Sequence, residues 1–237
     1  MSDDKRFDGA LGEEYGLLKL ALPYYDELEC IIGEKIRLHC ASNKQASPID
    51  VVEGGCGTGL TTIQILEADS RIHIIAIDNE PTMQSQAQTF LKKAPGRVSF
   101  VSVDLLSRLR KMQSSSINIF ASGYMIHNLT PAYRRALFAE IARVLKPSGL
   151  FVNGDKCVHD DPVVQAEDFC KMLASFDVFD TIDHSDYKSE WIKHYEEDEK
   201  VRFTELEQRT LLAGNGFSNI RLVTRFGMDS VMSAIKS

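Results

Sequence analysis

Short apolar runs alternate with amphipathic segments along this chain from about residue 49 onward. Seven of these runs predict β-strands, at Ile49–Glu53, Ile72–Ile77, Val98–Val103, Ile117–Ser122, Leu150–Asn153, Ile220–Arg225 and Ser230–Ala234. The run Ile72–Ile77 is almost continuously apolar, as expected of a parallel strand that is buried on both faces. Strands that alternate with helices predict βαβ units, and therefore an α/β fold with a mainly parallel sheet and helices on both faces.

The segments between the strands carry helix signals. Met83, Ala87 and Leu91 recur at helical spacing on one face. Thr130-Pro131 is a strong helix start, because a proline at the first helical position loses no hydrogen bond. Thr204–Glu207 has the form of a capping box, so a second helix is expected to begin there.

Two segments fall outside this alternation. Residues 1–48 have a helical pattern, broken at Pro23, and are predicted to form a cap in front of the α/β domain at 49–237. An acidic stretch at about 155–203, which contains Trp191, lies between the fifth strand and the last helix. We expect this insertion to form a lid or a substrate-binding element.

The composition excludes several classes of protein. Lys and Arg number 27 against 34 Asp and Glu, a net charge of −7 without any basic block, so general nucleic-acid binding is not expected. The five cysteines are scattered without a Cys-x-x-Cys pair, which favours reduced thiols and a cytoplasmic location. No stretch approaches the ~18 apolar residues of a membrane span, and the N-terminus lacks an apolar signal core.

The first predicted strand leads into the most informative motif of the chain. Val51-Val52-Glu53 is followed by glycines at positions 55, 57 and 59. Glycines at a strand-to-helix turn allow positive φ and let a ligand approach the backbone. In the dinucleotide fingerprint Gly-x-Gly-x-x-Gly the third glycine comes one residue later, and a carboxylate at Glu53 would repel a pyrophosphate but accept hydrogen bonds from an ammonium group. The loop therefore favours S-adenosylmethionine (SAM) over NAD.

This loop and four later motifs resemble the class I SAM-dependent methyltransferases. Asp78 ends the second predicted strand, Asp104 follows the third, Gly123 follows the fourth, and a turn at 146–149 precedes the fifth. The motifs stand in the family's order over about residues 49–153. The resemblance implies a Rossmann-like sandwich with a seven-stranded sheet in the order 3-2-1-4-5-7-6, the seventh strand antiparallel.

The same resemblance assigns the cofactor contacts. Glu53 would bind the methionine end of SAM, Asp78 the ribose hydroxyls and Asp104 the adenine amino group. As alternatives, Asp78 could simply cap the helix that follows it, and Asp104 could simply end a strand. The cofactor-binding residues expected in this way are Tyr25, Glu53, Gly55, Cys56, Gly57, Gly59, Asp78, Asn79, Met83, Asp104, Leu105 and Gly123.

The chain is also similar to the carboxy-SAM synthases, which serve wobble-uridine modification of tRNA. Pro23-Tyr24-Tyr25, the run 74–79 and the segment 187–190 carry this similarity, which implies that Tyr25 contacts the cofactor. That family's Gly-Cys-Ser-Leu-Gly loop is Gly-Cys-Gly-Thr-Gly here, and Gly123 replaces its asparagine. Its carboxylate-binding arginine has no match. Without a guanidinium, a carboxylated sulfonium lacks its bidentate partner, so plain SAM is favoured.

Candidate catalytic residues follow the fourth strand. Methyl transfer needs mainly orientation and exclusion of water, with a base where the acceptor must lose a proton. His127 is the candidate base and Tyr124 the residue that would orient the acceptor, while packing roles are the alternative for both. The His159–Asp161 and His184–Asp186 segments lack firm ligand spacing, so no metal site is expected.

The resulting hypothesis is a cytoplasmic SAM-dependent methyltransferase that acts on a small-molecule acceptor and has no membrane or general nucleic-acid partner. A homodimer is compatible with these features. Two alternatives stay open: an enzyme similar to the carboxy-SAM synthases, linked to tRNA modification, and a SAM-binding module without catalysis.

Overall fold

The computed structural model describes residues 14–43, 48–92 and 96–237, so part of the predicted cap at 1–48 lies outside the described residues. One sheet contains β1 (Ile49–Gly54), β2 (Ile72–Asp78), β3 (Val98–Ser102), β4 (Ile117–Gly123), β5 (Leu145–Lys156), β6 (Phe217–Phe226) and β7 (Asp229–Lys236). The α-helices of the described ranges are α1 (Tyr25–Ser42), α2 (Leu60–Ala68), α3 (Pro81–Phe90), α4 (Leu105–Arg110), α5 (Pro131–Val144), α6 (Pro162–Ser175), α7 (Ser185–Val201) and α8 (Glu205–Gly214). Short 3₁₀ helices cover Tyr15–Leu20, Ile126–Asn128 and Phe176–Ile182.

The strand order is β3-β2-β1-β4-β5-β7-β6, which confirms the order that the resemblance implies. The pairs among β3, β2, β1, β4 and β5 are parallel, whereas β7 is antiparallel to both β5 and β6. The sheet is therefore mixed, and the prediction of a mainly parallel sheet is wrong. The cause is the tight turn at Gly227-Met228, because strands joined by a hairpin must run antiparallel.

The two predicted helix starts are confirmed. The Thr130 side chain accepts a hydrogen bond from the Tyr133 backbone N–H at 3.3 Å, and Pro131 opens α5. The Thr204 side chain caps α8 by accepting from the Glu207 N–H at 3.1 Å. The Glu207 carboxylate does not complete a capping box, since it pairs with Arg134 at 2.9 Å.

Strand β5 is much longer than the predicted Leu150–Asn153. It pairs with β4 on one side and with β7 on the other, through to Lys156 opposite Asp229. Both edges are hydrogen-bonded over Leu150–Gly154, and the pairing with β7 alone keeps the strand extended up to its end. As a consequence Asp155 and Lys156 are buried at the carboxyl end of the sheet.

Two hydrophobic clusters pack against the sheet. Neighbouring strand residues belong to different clusters: Val51 and Val152 to the larger one, Val52 and Phe151 to the other. Because successive strand side chains point to opposite faces, this alternation accounts for the continuous apolar runs of the sequence.

Trp191 of α7 is buried in the larger cluster. Its ring centroid lies 6.0 Å from Tyr15, 6.0 Å from Tyr187 and 6.1 Å from Tyr195. The segment between β5 and α8 therefore packs against the 3₁₀ helix that contains Tyr15. These aromatic side chains of α7 form packing contacts.

A bilayer crossing needs a long apolar helix, and none occurs within the described ranges.

Candidate active site

A cleft opens at the carboxyl ends of β1, β2 and β4. Here β1 lies between β2 and β4, so the strands that follow β1 extend first towards one edge of the sheet and then towards the other. Such a switch point is the usual ligand site of an open α/β sheet. The walls of the cleft are formed by Tyr15, Tyr25, Gly55, Cys56, Gly57, Thr58, Leu60, Thr61, Ile77, Asp78, Asn79, Glu80, Met83, Val103, Asp104, Leu105, Gly123, Tyr124, Met125, Asn128, Leu129 and Tyr133. Most of the predicted cofactor contacts are thus brought together.

The three loop glycines have positive φ but different roles. A Cβ on Gly55 would lie 2.4 Å from Met125 Cγ, so this position tolerates no side chain. Gly57 lines the cleft, where a Cβ would meet only the end of Met83 at 3.3 Å. Gly59, at φ +91°, faces Leu91 and Ala87 instead of the cleft. Gly59 therefore allows α3 to pack closely, and the predicted cofactor contact there does not form part of the cleft wall.

Glu53 also lies outside the cleft wall, contrary to the prediction. Its side chain is fully buried under the loop, and its Oε2 accepts a hydrogen bond from Thr62 Oγ1 at 2.7 Å. Its Oε1 has no hydrogen-bond partner. Burial raises the pKa of Glu53 to about 8, against the lowering effect of the Thr62 hydrogen bond. The carboxyl group is directed towards α2, which is why it does not reach the cleft.

Asp78 joins the glycine loop to the end of β2. Its Oδ2 accepts from the Gly57 N–H at 2.7 Å, and its Oδ1 accepts from the Glu80 N–H at 2.8 Å. Burial raises the pKa of this carboxyl group, while the backbone hydrogen bonds lower it. The carboxylate still faces the cleft beside Asn79 and has lone pairs available for a ligand.

Asp104 caps α4 and faces the same cleft. Its Oδ1 accepts from the Ser107 N–H at 2.8 Å, and its Oδ2 accepts from the Tyr133 hydroxyl at 2.6 Å. Partial burial acts to raise the pKa of Asp104, but these hydrogen bonds bring it below its ordinary value. Tyr133 was not predicted, because only the fold brings α5 next to this loop.

The opposite side of the cleft is aromatic. Tyr25 and Tyr124 stack with ring centroids 4.8 Å apart and an interplanar angle of 8°. A Cβ on Gly123 would lie 2.3 Å from Thr61 Oγ1 and 3.0 Å from Glu29 Oε1. The Thr61 hydroxyl, with Glu29 behind it, therefore occupies the space that a side chain at position 123 would need.

Glu29 is a buried carboxyl group that the sequence did not single out. Its Oε1 accepts from Thr61 Oγ1 at 2.9 Å, whereas its Oε2 has no hydrogen-bond partner. Burial raises the pKa of Glu29 to about 7. One glutamate in an amphipathic helix carries no distinguishing signal, so it could be recognised only from the packing of α1 on α2.

His127, the predicted base, does not line the cleft. Its Nδ1 lies 2.5 Å from Asp155 Oδ1, and its Nε2 lies 3.5 Å from Asp198 Oδ2. Burial acts to lower the pKa of His127, but the two carboxylates raise it to about 9. Lys156 Nζ contacts the same Asp198 Oδ2 at 2.7 Å. The prediction of a base that faces the acceptor is therefore corrected: the ring points into a buried polar cluster.

The histidines of the two segments considered for a metal lie elsewhere. His159 Nε2 is 3.0 Å from Asp168 Oδ2, and His184 Nδ1 is 3.4 Å from Glu14. Among the described residues, each makes a single ion-pair contact near the surface.

Residues 51–149 match the family model described as a methyltransferase domain. Together with the sheet order and the glycine loop, this match supports the similarity to the class I SAM-dependent methyltransferases that the sequence indicated, and it supports SAM as the cofactor.

Two curated relatives illustrate the range of similarity. A carboxy-S-adenosyl-L-methionine synthase from Nautilia profundicola is 20% identical over 93% of this chain and 89% of that protein. A demethylmenaquinone methyltransferase from Leptospira interrogans is 30% identical over 48% of this chain and 45% of the relative.

Among solved structures, an O-methyltransferase family protein from Burkholderia thailandensis superposes with a TM-score of 0.65. The identity is 16%, and the alignment covers 94% of this chain but 58% of that chain. The present chain thus spans little more than half of that structure. The likeness concerns the fold.

Proposed function

We propose that this protein transfers the methyl group of SAM to a small-molecule acceptor. The observation that carries the proposal is the continuity of the cleft. It runs from the glycine loop and Asp78 to an aromatic pocket formed by Tyr15, Tyr25 and Tyr124. A sulfonium methyl group held at the loop can thus meet an acceptor held between aromatic rings.

The cofactor would lie along the loop with its adenosine towards Asp78 and Asp104. Asp78 would accept hydrogen bonds from the ribose hydroxyls, and Asp104 from the adenine amino group next to Leu105. Asn79, Cys56 and Met83 would enclose the nucleoside. The methionine end would lie near Gly55, Gly57 and Gly123, above the buried Glu53.

The charge of the cleft supports a small acceptor. None of the residues that line it within the described ranges is lysine or arginine, while Asp78, Glu80 and Asp104 are acidic. A polyanion such as RNA needs basic side chains along its path. A molecule about the size of an aromatic ring, uncharged or cationic, fits these walls better than a polyanion.

Tyr124 would orient the acceptor. Burial raises the pKa of Tyr124 well above its ordinary value, so its phenol stays neutral and can donate or accept a hydrogen bond. His127 would act as a positioning residue for the loop after β4, because its ring contacts Asp155 and Asp198. An acceptor that arrives already nucleophilic suits this pocket, since methyl transfer then needs orientation and exclusion of water.

The segment between β5 and α8 would set acceptor selectivity together with the 3₁₀ helix at Tyr15–Leu20. The hydroxyl of Tyr187 donates a hydrogen bond to the Glu14 carbonyl at 2.8 Å, which links the two segments. Both would have to separate for a bulky acceptor to enter.

Turnover with pooled small molecules tests the proposal. S-adenosylhomocysteine would be measured with pools of thiols, amines and phenols, for the wild type and Tyr124→Phe. We expect Tyr124→Phe to raise the acceptor KM without changing the SAM affinity. Tyr24→Phe is the matched control, because Tyr24 is 44% exposed and stacks on Phe226 at 4.5 Å. No turnover with any pool, or equal effects of both variants, would argue against the proposal.

A second candidate is carboxyl transfer to SAM, since the similarity to a carboxy-SAM synthase extends over 93% of this chain. The acidic, arginine-free cleft weighs against it, because the extra carboxylate would have no cationic partner. Mass spectrometry of nucleosides released from the denatured protein separates the two: SAM or S-adenosylhomocysteine supports methyl transfer, whereas carboxy-SAM supports the second candidate.

A further inference from the structure

We propose that His127, His194 and Asp198 bind a divalent transition-metal cation, with Zn²⁺ the best match. This site lies outside the cofactor cleft wall and goes beyond the proposed methyl transfer. The two histidines and the aspartate are buried, and one potential ligand atom from each lies within 4.8 Å of the others.

Two of the three separations between these ligand atoms are those of ligands around a shared ion. Asp198 Oδ2 lies 3.5 Å from His127 Nε2 and 3.6 Å from His194 Nε2. Both distances are longer than the donor–acceptor distance of an N–H···O hydrogen bond, which is about 2.7–3.2 Å. Zinc bonds to nitrogen and oxygen are about 2.0–2.1 Å, so the edge of a ligand tetrahedron is about 3.3–3.4 Å. The observed separations are close to this edge.

The ligands are also held in place before any ion binds. His194 and Asp198 stand one turn apart on α7 and therefore share a face. His127 is fixed by Asp155, whose Oδ1 contacts Nδ1 at 2.5 Å and whose Oδ2 accepts from the His127 backbone N–H at 3.1 Å. A carboxylate on the far nitrogen of a ligand histidine is the usual support of a metal site, since it aims the other nitrogen at the ion.

Lys156 supplies a competing cation. Its Nζ lies 2.7 Å from Asp198 Oδ2 and 4.1 Å from the centre of the Tyr195 ring. In the metal-free protein this ammonium offsets the buried Asp198 charge. A metal ion at the three ligands would share Asp198 with Lys156, so removal of the ammonium should strengthen metal binding.

The chemistry of the ligands points to the class of ion. Two imidazoles and one carboxylate suit zinc and its first-row neighbours, whereas Ca²⁺ and Mg²⁺ take mainly oxygen ligands. Three protein ligands leave a further coordination position for a solvent molecule.

The experiment uses the whole chain, stripped of metal with a chelator. Zn²⁺ binding is measured by competition with a chromophoric chelator, and Co²⁺ binding by its visible absorption. We expect one equivalent per chain and a higher melting temperature with Zn²⁺, because an ion that binds the folded state stabilises it. His194→Gln should lose at least tenfold in Zn²⁺ affinity. His159→Gln is the matched control, since His159 also contacts an aspartate but lies outside the cluster, and it should bind like the wild type.

Lys156→Met provides a second, opposite test. If the ion occupies the cluster, Lys156→Met should bind Zn²⁺ more tightly than the wild type, and Zn²⁺ should raise its melting temperature more. If the cluster is only a salt-bridge network, this variant should be destabilised and should not respond to Zn²⁺. The absence of one-to-one binding by the wild type, or equal Zn²⁺ affinities for His194→Gln and His159→Gln, would overturn the proposal. The readout needs neither SAM nor acceptor, so its failure is separate from that of the proposed function.

Discussion

Asp78 shows how one carboxylate can serve both the fold and the site. It accepts backbone hydrogen bonds from Gly57 and Glu80, which belong to different loops, and it still lines the cleft. Its location follows from the sequence, since an acidic residue ends the second strand in the methyltransferase pattern. The sequence did not predict that the Gly57 N–H would donate a hydrogen bond to Asp78.

We expect Asp78→Asn to weaken SAM binding at least tenfold, which is about 1.4 kcal/mol. The amide replaces one acceptor oxygen by an NH₂ group that faces either the Gly57 or the Glu80 N–H. Isothermal titration calorimetry measures the change. Asp50→Asn is the control, since Asp50 is exposed at the opposite end of β1, and equal affinities for the two variants would contradict the ribose role.

Glu53 should make stability depend on pH. The folded state binds a proton with a pKa of about 8, whereas the ordinary value is 4.5. Between these values the folded state holds a proton that the unfolded chain releases, so the free energy of unfolding falls as the pH rises. Glu53→Gln removes this contribution. From pH 5 to pH 8 the unfolding free energy of the variant should therefore fall by roughly 1–4 kcal/mol less than that of the wild type. Urea denaturation at several pH values tests this; parallel curves for the two proteins would refute it.

At the scale of elements, Arg134 connects three helices. It is fully buried on α5, pairs with Glu207 of α8, and donates hydrogen bonds to the carbonyls of Leu129, Val201 and Arg202. The sequence predicted the starts of α5 and α8 from local capping signals. It could not predict that Glu207 would leave its capping box for Arg134, because that contact spans 73 residues.

Arg134→Met should destabilise the protein by about 3–5 kcal/mol, as expected when one partner of a buried ion pair is removed. Arg209→Met is the control. Arg209 pairs with Glu205 one turn away on α8, is 37% exposed and should cost less than about 1 kcal/mol. Chemical denaturation monitored by circular dichroism measures the loss of unfolding free energy in both variants. Similar losses would contradict the role of Arg134 in connecting the three helices.

At the scale of the whole molecule, the strand order could be predicted because five motifs resemble those of a superfamily with a known sheet order. The alternation of strands and helices alone predicted a mainly parallel sheet, whereas the resemblance implied the antiparallel seventh strand that makes the sheet mixed. The direction of His127 could not be predicted. Its partners Asp155 and Asp198 come from β5 and α7, and only the tertiary fold brings them to the loop after β4.

SAM should stabilise the whole fold, since it is proposed to bind residues on three strand ends. At a SAM concentration of 100 times Kd, the free energy of unfolding should rise by about 2.7 kcal/mol. Differential scanning fluorimetry would show this as a higher melting temperature. NAD at the same concentration should cause no shift, and a shift with NAD alone would contradict the interpretation of the glycine loop.

The fate of a labelled methyl group tests whether the protein transfers the methyl group of SAM to a small molecule. The protein would be incubated with methyl-labelled SAM and a cell extract that is then separated into metabolites, RNA and protein. Transfer to a small molecule predicts label in the metabolite fraction, together with S-adenosylhomocysteine, and a loss of both with Asp78→Asn. Label confined to RNA or protein would contradict the small-molecule acceptor, and no transfer in any fraction would contradict the claim of methyl transfer.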